Sequence, residues 1–387
     1  MRRMNARLAP VLAVLLVLAA CGSDPRQHHV DRDAEARAEQ RAQQLASSGY
    51  HSTESASLSL AFQQWAVAGE PTPVTLAFPS FGNQLPLIVY LPGMGEGAQA
   101  GSRWRQAWAR AGYAVLSAQP LEFDANAWGS DLARNADFKA LSRAHQKPDL
   151  LPERLRHVRA LLEEARRRAA AGDSMWTRVD FNTIAVAGYD LGTLSAAAVP
   201  GAKATLLLSP LPLDAATVAS IEQPLLMIDS RHDNDLTGLI TSPQDRVQSF
   251  ASLPAGNKAL LLLDDGSHAL LSGNVGQEES EASSEPAPTR SRGQQGGQGG
   301  QGGGQGRHSR GMGGGGAGAN AGANNAGGAR PSPSSERSTT GKAQSQVIET
   351  VSIAFLDAHL RGRAQARQWL DHDAEPWLEN LGDWQQH

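Results

Sequence analysis

From about residue 59 the chain alternates short apolar runs with amphipathic stretches. Residues 74–78 (VTLAF) form a β-branched and aromatic run. Residues 85–91 (LPLIVYL) are apolar throughout, as expected of a strand buried on both faces, and Gly93 and Gly95 follow at once. Residues 102–111 suit a helix closed by Gly112, and residues 113–117 (YAVLS) suit a strand. A long helix is predicted over 151–171. Leu151, Leu155, Val158, Leu162 and Ala165 lie on its apolar face, with an arginine-rich solvated face opposite. Residues 184–187, 204–209, 224–228 and 260–263 are further apolar strands, and Val347, Ile348, Val351 and Phe355 mark a closing helix. This alternation predicts an α/β domain: a mainly parallel central sheet with helices on both faces.

One stretch breaks the pattern. Residues 276–345 hold half of the chain's 40 glycines and no aromatic residue. They cannot bury enough apolar surface to offset their chain entropy, so a disordered insert is expected between the last strand and the last helix. The glycines lack a strict three-residue period, which excludes collagen. Arg290, Arg292, Arg307, Arg310 and Arg330 could contact anionic lipid or nucleic acid, and a neutral spacer is the favoured reading. Loop closure grows only with the logarithm of length, so the fold tolerates such an insertion. About 260 residues remain for one large or two small domains. The 35 basic and 39 acidic side chains give a net charge of −4, which argues against a nucleic-acid partner. A single cysteine, Cys21, excludes an intrachain disulfide.

That cysteine ends a leader. Arg2, Arg3 and Arg7 precede an apolar run from Leu8 to Ala20, too short for the roughly 20 residues that span a bilayer. The run closes in Leu18-Ala19-Ala20-Cys21, which resembles the lipobox of bacterial lipoproteins. The resemblance implies cleavage before Cys21 and lipidation of its thiol. No aspartate follows Cys21, which leans toward the outer membrane. Residues 22–58 read as a polar tether, with a solvated helix over 30–46.

The chemistry concentrates in residues 183–196 (TIAVAGYDLGTLSA), a strand, then Gly188-Tyr189-Asp190-Leu191-Gly192, then a small-residue helix. This resembles the nucleophile elbow of the α/β-hydrolases, G-x-S-x-G, whose sharp turn lifts the central side chain above the sheet. Aspartate stands where that family has serine. Other parts follow in the family's order. Leu91-Pro92-Gly93-Met94-Gly95 matches the oxyanion loop, with proline in place of the usual histidine. The resemblance implies an oxyanion hole from the amides of Met94 and Leu191. Asp229-Ser-Arg-His-Asp233 matches the acid loop, pointing to Asp233, with Asp235 second. Asp264-Asp265-Gly266-Ser267-His268 matches the histidine loop. Within the superfamily the chain looks closest to dienelactone hydrolase-like and acetylhydrolase-like lipoproteins.

These parts imply a lipid-anchored hydrolase with an Asp190–His268–Asp233 triad, acting on a small organic substrate through a covalent aspartyl ester. Such chemistry attacks an sp³ carbon, because a carboxylate is a poor nucleophile at an ester carbonyl. The cap, residues 121–150, has no tyrosine to protonate an oxirane, and Leu191 stands where dehalogenases place a halide-binding tryptophan; Trp104 or Trp128 could substitute. The alternative is a degenerate hydrolase fold that binds a ligand or an envelope partner. Ser195 lies too far into the helix to replace Asp190. His28, His29 and His232 lack metal-ligand spacing, so no metal or cofactor is expected. Asp264 and Asp265 either orient His268 or cap its loop, and Asp371, His372 and Asp373 read as solvated. The domain plan is a leader over 1–21, tether over 22–58, hydrolase domain over 59–275, insert over 276–345, and closing helix and tail over 346–387.

Overall fold

A computed structural model describes residues 25–234, 237–240, 242–274 and 333–387. The leader with Cys21, the alternative acid Asp235, and most of the Gly-rich insert lie outside these residues.

Nine strands form one sheet. They are β1 (Leu58–Val67), β2 (Glu70–Pro79), β3 (Leu85–Leu91), β4 (Ala114–Ser117), β5 (Val179–Tyr189), β6 (Ala204–Leu208), β7 (Leu225–Ser230), β8 (Lys258–Leu263) and β9 (Gly382–Gln386). Their spatial order is β1-β2-β4-β3-β5-β6-β7-β8-β9. β4 through β8 pair in parallel, while β1, β2 and β9 add antiparallel edges. The architecture is therefore α/β, with a mixed and mostly parallel sheet. Two edge strands were not legible in the apolar pattern. β1 is largely exposed, and β9 (GDWQQ) is polar except for Trp384.

The unbroken apolar run of β3 has a simple cause. Ile88 and Tyr90 enter a core with Trp104, Trp108, Val347, Val351 and Phe355. Leu87, Val89 and Leu91 enter the opposite core with Val158, Leu161 and Val186. Alternate side chains of a strand point to opposite faces, so a sheet covered on both sides needs apolar residues at every position. The first core sits under the helices Ser102–Arg110 and Pro333–His359, the second under Leu151–Ala170.

Three expectations need correction. The helix Leu151–Ala170 buries Arg154, Val158, Leu161 and Ala165, so its arginines are not all solvated. Arg154 donates to both carboxylate oxygens of buried Asp124, at 2.7 and 2.8 Å, and His145 Nδ1 lies 2.8 Å from the same group. This cluster ties the short cap helices, Glu122–Ala125 and Phe138–His145, to the domain. Residues 30–46 belong to the helix Pro25–Ser48, which packs on the closing helix and buries Ala34, Ala38 and Leu45. Small alanines allow that close approach in a helix with few larger apolar residues. The closing helix also starts at Pro333, inside the range expected for the insert, and Ala343, Gln344 and Ser345 are buried. Among the described residues no helix is long and apolar enough to cross a membrane.

Candidate active site

In open α/β sheets, ligands bind beyond the carboxyl ends of the parallel strands. Here the loops after β3, β5, β6, β7 and β8 meet at one point. They carry Met94 and Glu96, Asp190, Ser209, Asp233, and His268 respectively.

Asp190 sits between β5 and the helix Leu191–Ala198 with φ 45° and ψ −116°. Non-glycine residues rarely adopt such angles, and they persist where surrounding structure imposes them. Two glycines make the turn possible. A Cβ on Gly188 would lie 2.5 Å from the Gly192 carbonyl oxygen, and one on Gly192 would lie 2.1 Å from that of Leu91. The turn is fastened by the Asp190 amide donating to the Leu208 carbonyl and by Thr193, whose amide and hydroxyl both donate to the Asp190 carbonyl.

The carboxylate of Asp190 has a distinct neighbour for each oxygen. The Met94 amide donates to Oδ2 at 3.4 Å. The Arg246 guanidinium lies 3.9 Å from Oδ1. Leu191 opens the following helix and lines the same cavity. Met94, Leu191 and Leu211 form a small apolar cluster with Ala127 and Leu141 of the cap. The Gly95 amide donates to the Asp124 carbonyl at 2.7 Å, so the cap also anchors the loop that presents Met94.

His268 follows Ser267, whose hydroxyl caps the short helix His268–Ser272. Its Nδ1 lies 2.7 Å from Asp233 Oδ1 and 3.0 Å from Ser209 Oγ. Nδ1 is thus engaged, which leaves Nε2 for the cavity. Burial pushes the imidazolium down, but the charge and hydrogen bond of Asp233, with the charge of Asp190, outweigh it, so His268 titrates above its ordinary range. Asp233 is fully buried. Burial pushes its carboxyl up, and His268, Asp229 and Arg246 together bring it well below the usual carboxylate range. Arg246 Nε lies 3.3 Å from Asp233 Oδ2. Asp229, buried at the end of β7, is pushed far upward by desolvation and by the Asp233 charge. Asp233 is lowered in turn, so the two carboxyls titrate in opposite directions.

A cavity of about 280 Å³ opens beside Asp190, lined among others by Met94, Glu96, Trp128, Ile240 and His268. That is near the small end of ligand pockets, which run from about 300 to 1,000 Å³. Of the two tryptophans weighed from sequence, Trp128 lines this cavity. Trp104 is buried in the core and donates to the Leu271 carbonyl. Asp264 pairs with Arg231 and Asp265 caps Gly266, so neither is the partner of His268. Ser195 is buried one turn into the helix. Among the described residues no group of acidic, histidine or cysteine side chains could hold a metal ion.

Sequence reasoning missed Glu96, Ser209, Asp229 and Arg246. Glu96 had a signal, since it lies two residues past Met94 in a loop already singled out. Arg246 had none, because a lone arginine in an irregular stretch looks like surface.

No protein-family model and no curated relative matches the chain. The assignment of the site therefore rests on its geometry.

Proposed function

We propose that the protein is a hydrolase of the α/β-hydrolase superfamily in which Asp190 is the nucleophile. Support for the superfamily comes from the elbow after β5, and from the chain order of nucleophile, acid and histidine after β5, β7 and β8. The observation that carries the reading is the placement of Asp190: a strained turn with one carboxylate oxygen at the Met94 amide. A covalent ester leaves its carbonyl oxygen there, where the amide stabilises the oxyanion formed on hydrolysis. The other oxygen, Oδ1, attacks an sp³ carbon. His268 then takes a proton from water through Nε2 while Asp233 holds Nδ1–H. We read the lipobox-like leader as an anchor through Cys21 on the bacterial envelope, with the outer membrane as the favoured site.

A second reading has a specific observation behind it. Arg246 lies 3.9 Å from Asp190 Oδ1, an attraction of about 4 kcal/mol at an effective dielectric of roughly 20. Alkylation of Asp190 gives up that attraction. A binding protein that retains the pocket without turnover would keep it.

The test is single turnover of the full-length protein in ¹⁸O-labelled water, on a panel of haloalkanes, epoxides, esters and lactones. Label in the Asp190 carboxyl, with turnover lost in Asp190→Ala, supports the nucleophile. A silent wild type with an esterase appearing in Asp190→Ser supports the degenerate pocket. For the anchor, the mass of the mature N-terminal peptide should show a lipidated Cys21, and an unmodified peptide refutes it.

A further inference from the structure

Displacement at an sp³ carbon expels a leaving group, and the leaving group decides what else the site needs. A halide departs as an anion. An alkoxide needs a proton as the carbon–oxygen bond breaks. Four cavity-lining side chains among the described residues can titrate: Glu96, Tyr189, Asp190 and His268. Asp190 is the nucleophile and His268 the base for water. The Tyr189 hydroxyl is spent on the His268 carbonyl at 3.0 Å. Glu96 remains.

Glu96 is held in place. The Gly93 amide donates to Oε2 at 2.9 Å, and Asn274 Nδ2 donates to Oε1 at 2.6 Å. Asn274 is itself fixed by the Gly101 amide. Each oxygen of Glu96 keeps a second lone pair that can carry a proton. Burial pushes its carboxyl up to about 7; the two hydrogen bonds pull it down, Asp190 raises it further and His268 lowers it. The other titratable neighbours, Tyr90 and Tyr189, are phenols pushed far above their ordinary range by burial and bring no charge. The acid is therefore protonated in a useful fraction near neutrality.

We propose that Glu96 is the catalytic acid that protonates the departing oxygen, and that the substrate class is a small epoxide. This rests on Asp190 as nucleophile. Asp190 Oδ1 bonds to an oxirane carbon while the ring carbon–oxygen bond breaks. Its electron pair goes to the ring oxygen, which takes the Glu96 proton. A hydroxyalkyl ester forms and Glu96 is left ionised. His268 Nε2 then removes a proton from water, and the resulting hydroxide adds to the ester carbon of Asp190. The tetrahedral adduct expels the alkoxide, which takes the proton from His268. The Asp190 acid returns its proton to Glu96. Epoxide plus water gives a diol, with every group restored.

The experiment uses the full-length protein in detergent with His268→Gln, so that the ester accumulates and is read by mass at Asp190. Butylene oxide and butyl bromide are compared, with and without Glu96→Gln. The expected result is alkylation by both, with the epoxide rate alone falling about 100-fold or more in Glu96→Gln. With Glu96 present, the epoxide rate alone should also fall as pH rises through the Glu96 titration, which lies at about 7 with His268 in place and moves upward once the His268 charge is removed. Equal epoxide rates with and without Glu96 overturn the acid role and leave Asp190 standing. So does labelling by the bromide alone. Equal loss toward both reagents means that Glu96 only shapes the pocket. No label at Asp190 from either reagent overturns both proposals.

Discussion

The elbow angles make a prediction that separates backbone strain from chemistry. At φ 45° and ψ −116°, Asp190 lies near the first central position of a type II′ turn, where glycine is the favoured residue. A Cβ there costs about 1–3 kcal/mol. Asp190→Ala and Asp190→Gly both remove the carboxylate, its contact with Met94 and its attraction to Arg246. They differ only in strain and in chain entropy. Replacing alanine by glycine gives up about 0.4–1 kcal/mol through the freer unfolded chain. The net expectation is that Asp190→Gly is more stable than Asp190→Ala by about 0.5–2 kcal/mol. At an ordinary position in a helix or strand the order is the reverse, by about 0.5–1 kcal/mol. Urea unfolding of the two variants, followed by tryptophan fluorescence, reads the difference as a shift in midpoint at constant slope. Both variants should be inactive on any substrate. If Asp190→Gly unfolds at lower urea than Asp190→Ala, the elbow stores no strain and the argument from the backbone fails.

Three further outcomes follow from the same geometry. Arg246→Leu leaves buried Asp233 facing Asp229 and His268 without its guanidinium; breaking such a buried pair should destabilise by about 3–5 kcal/mol, and a urea shift worth under 1 kcal/mol would sink the idea. Glu96 protonates at about 7 when folded against an ordinary 4.5, so the native state binds the extra proton between those values. Stability should then fall as pH rises through that window, by up to ~3 kcal/mol at about 1.36 kcal/mol per unit, and Glu96→Gln should flatten the slope. Equal slopes in the two proteins would refute this. Gly192→Ala places a Cβ 2.1 Å from the Leu91 carbonyl oxygen, a backbone atom that cannot rotate away. It should displace the Met94 loop and abolish alkylation of Asp190, which a mass measurement with butyl bromide checks.

Much of the scaffold was legible because its signals are local. The runs of β3, β5, β6, β7 and β8 are apolar at consecutive positions, since both faces of those strands are covered. The elbow glycines, Asp190, His268 and Asp233 stood out because a turn, a strand end and a short loop each carry their own residue pattern. The edge strands did not stand out. β1 leaves Leu60 and Phe62 exposed, and β9 is polar, so neither shows the apolar periodicity of a covered strand.

Tertiary structure alone decided the rest. Arg154 carries the same side chain as its solvated neighbours, and only the cap folding Asp124 and His145 over it makes it a buried ion pair. Arg246 became part of the site because the short helix Pro243–Val247 brings it between Asp233, from the loop before it, and Asp190, from the distant elbow after β5. Glu96 acquired its chemistry from burial and from Asn274, which arrives from beyond β8. A sequence pattern records which side chains a local turn or strand presents. Charge partners and desolvation depend on long-range packing, and these decide what an ionisable group in the cavity can do.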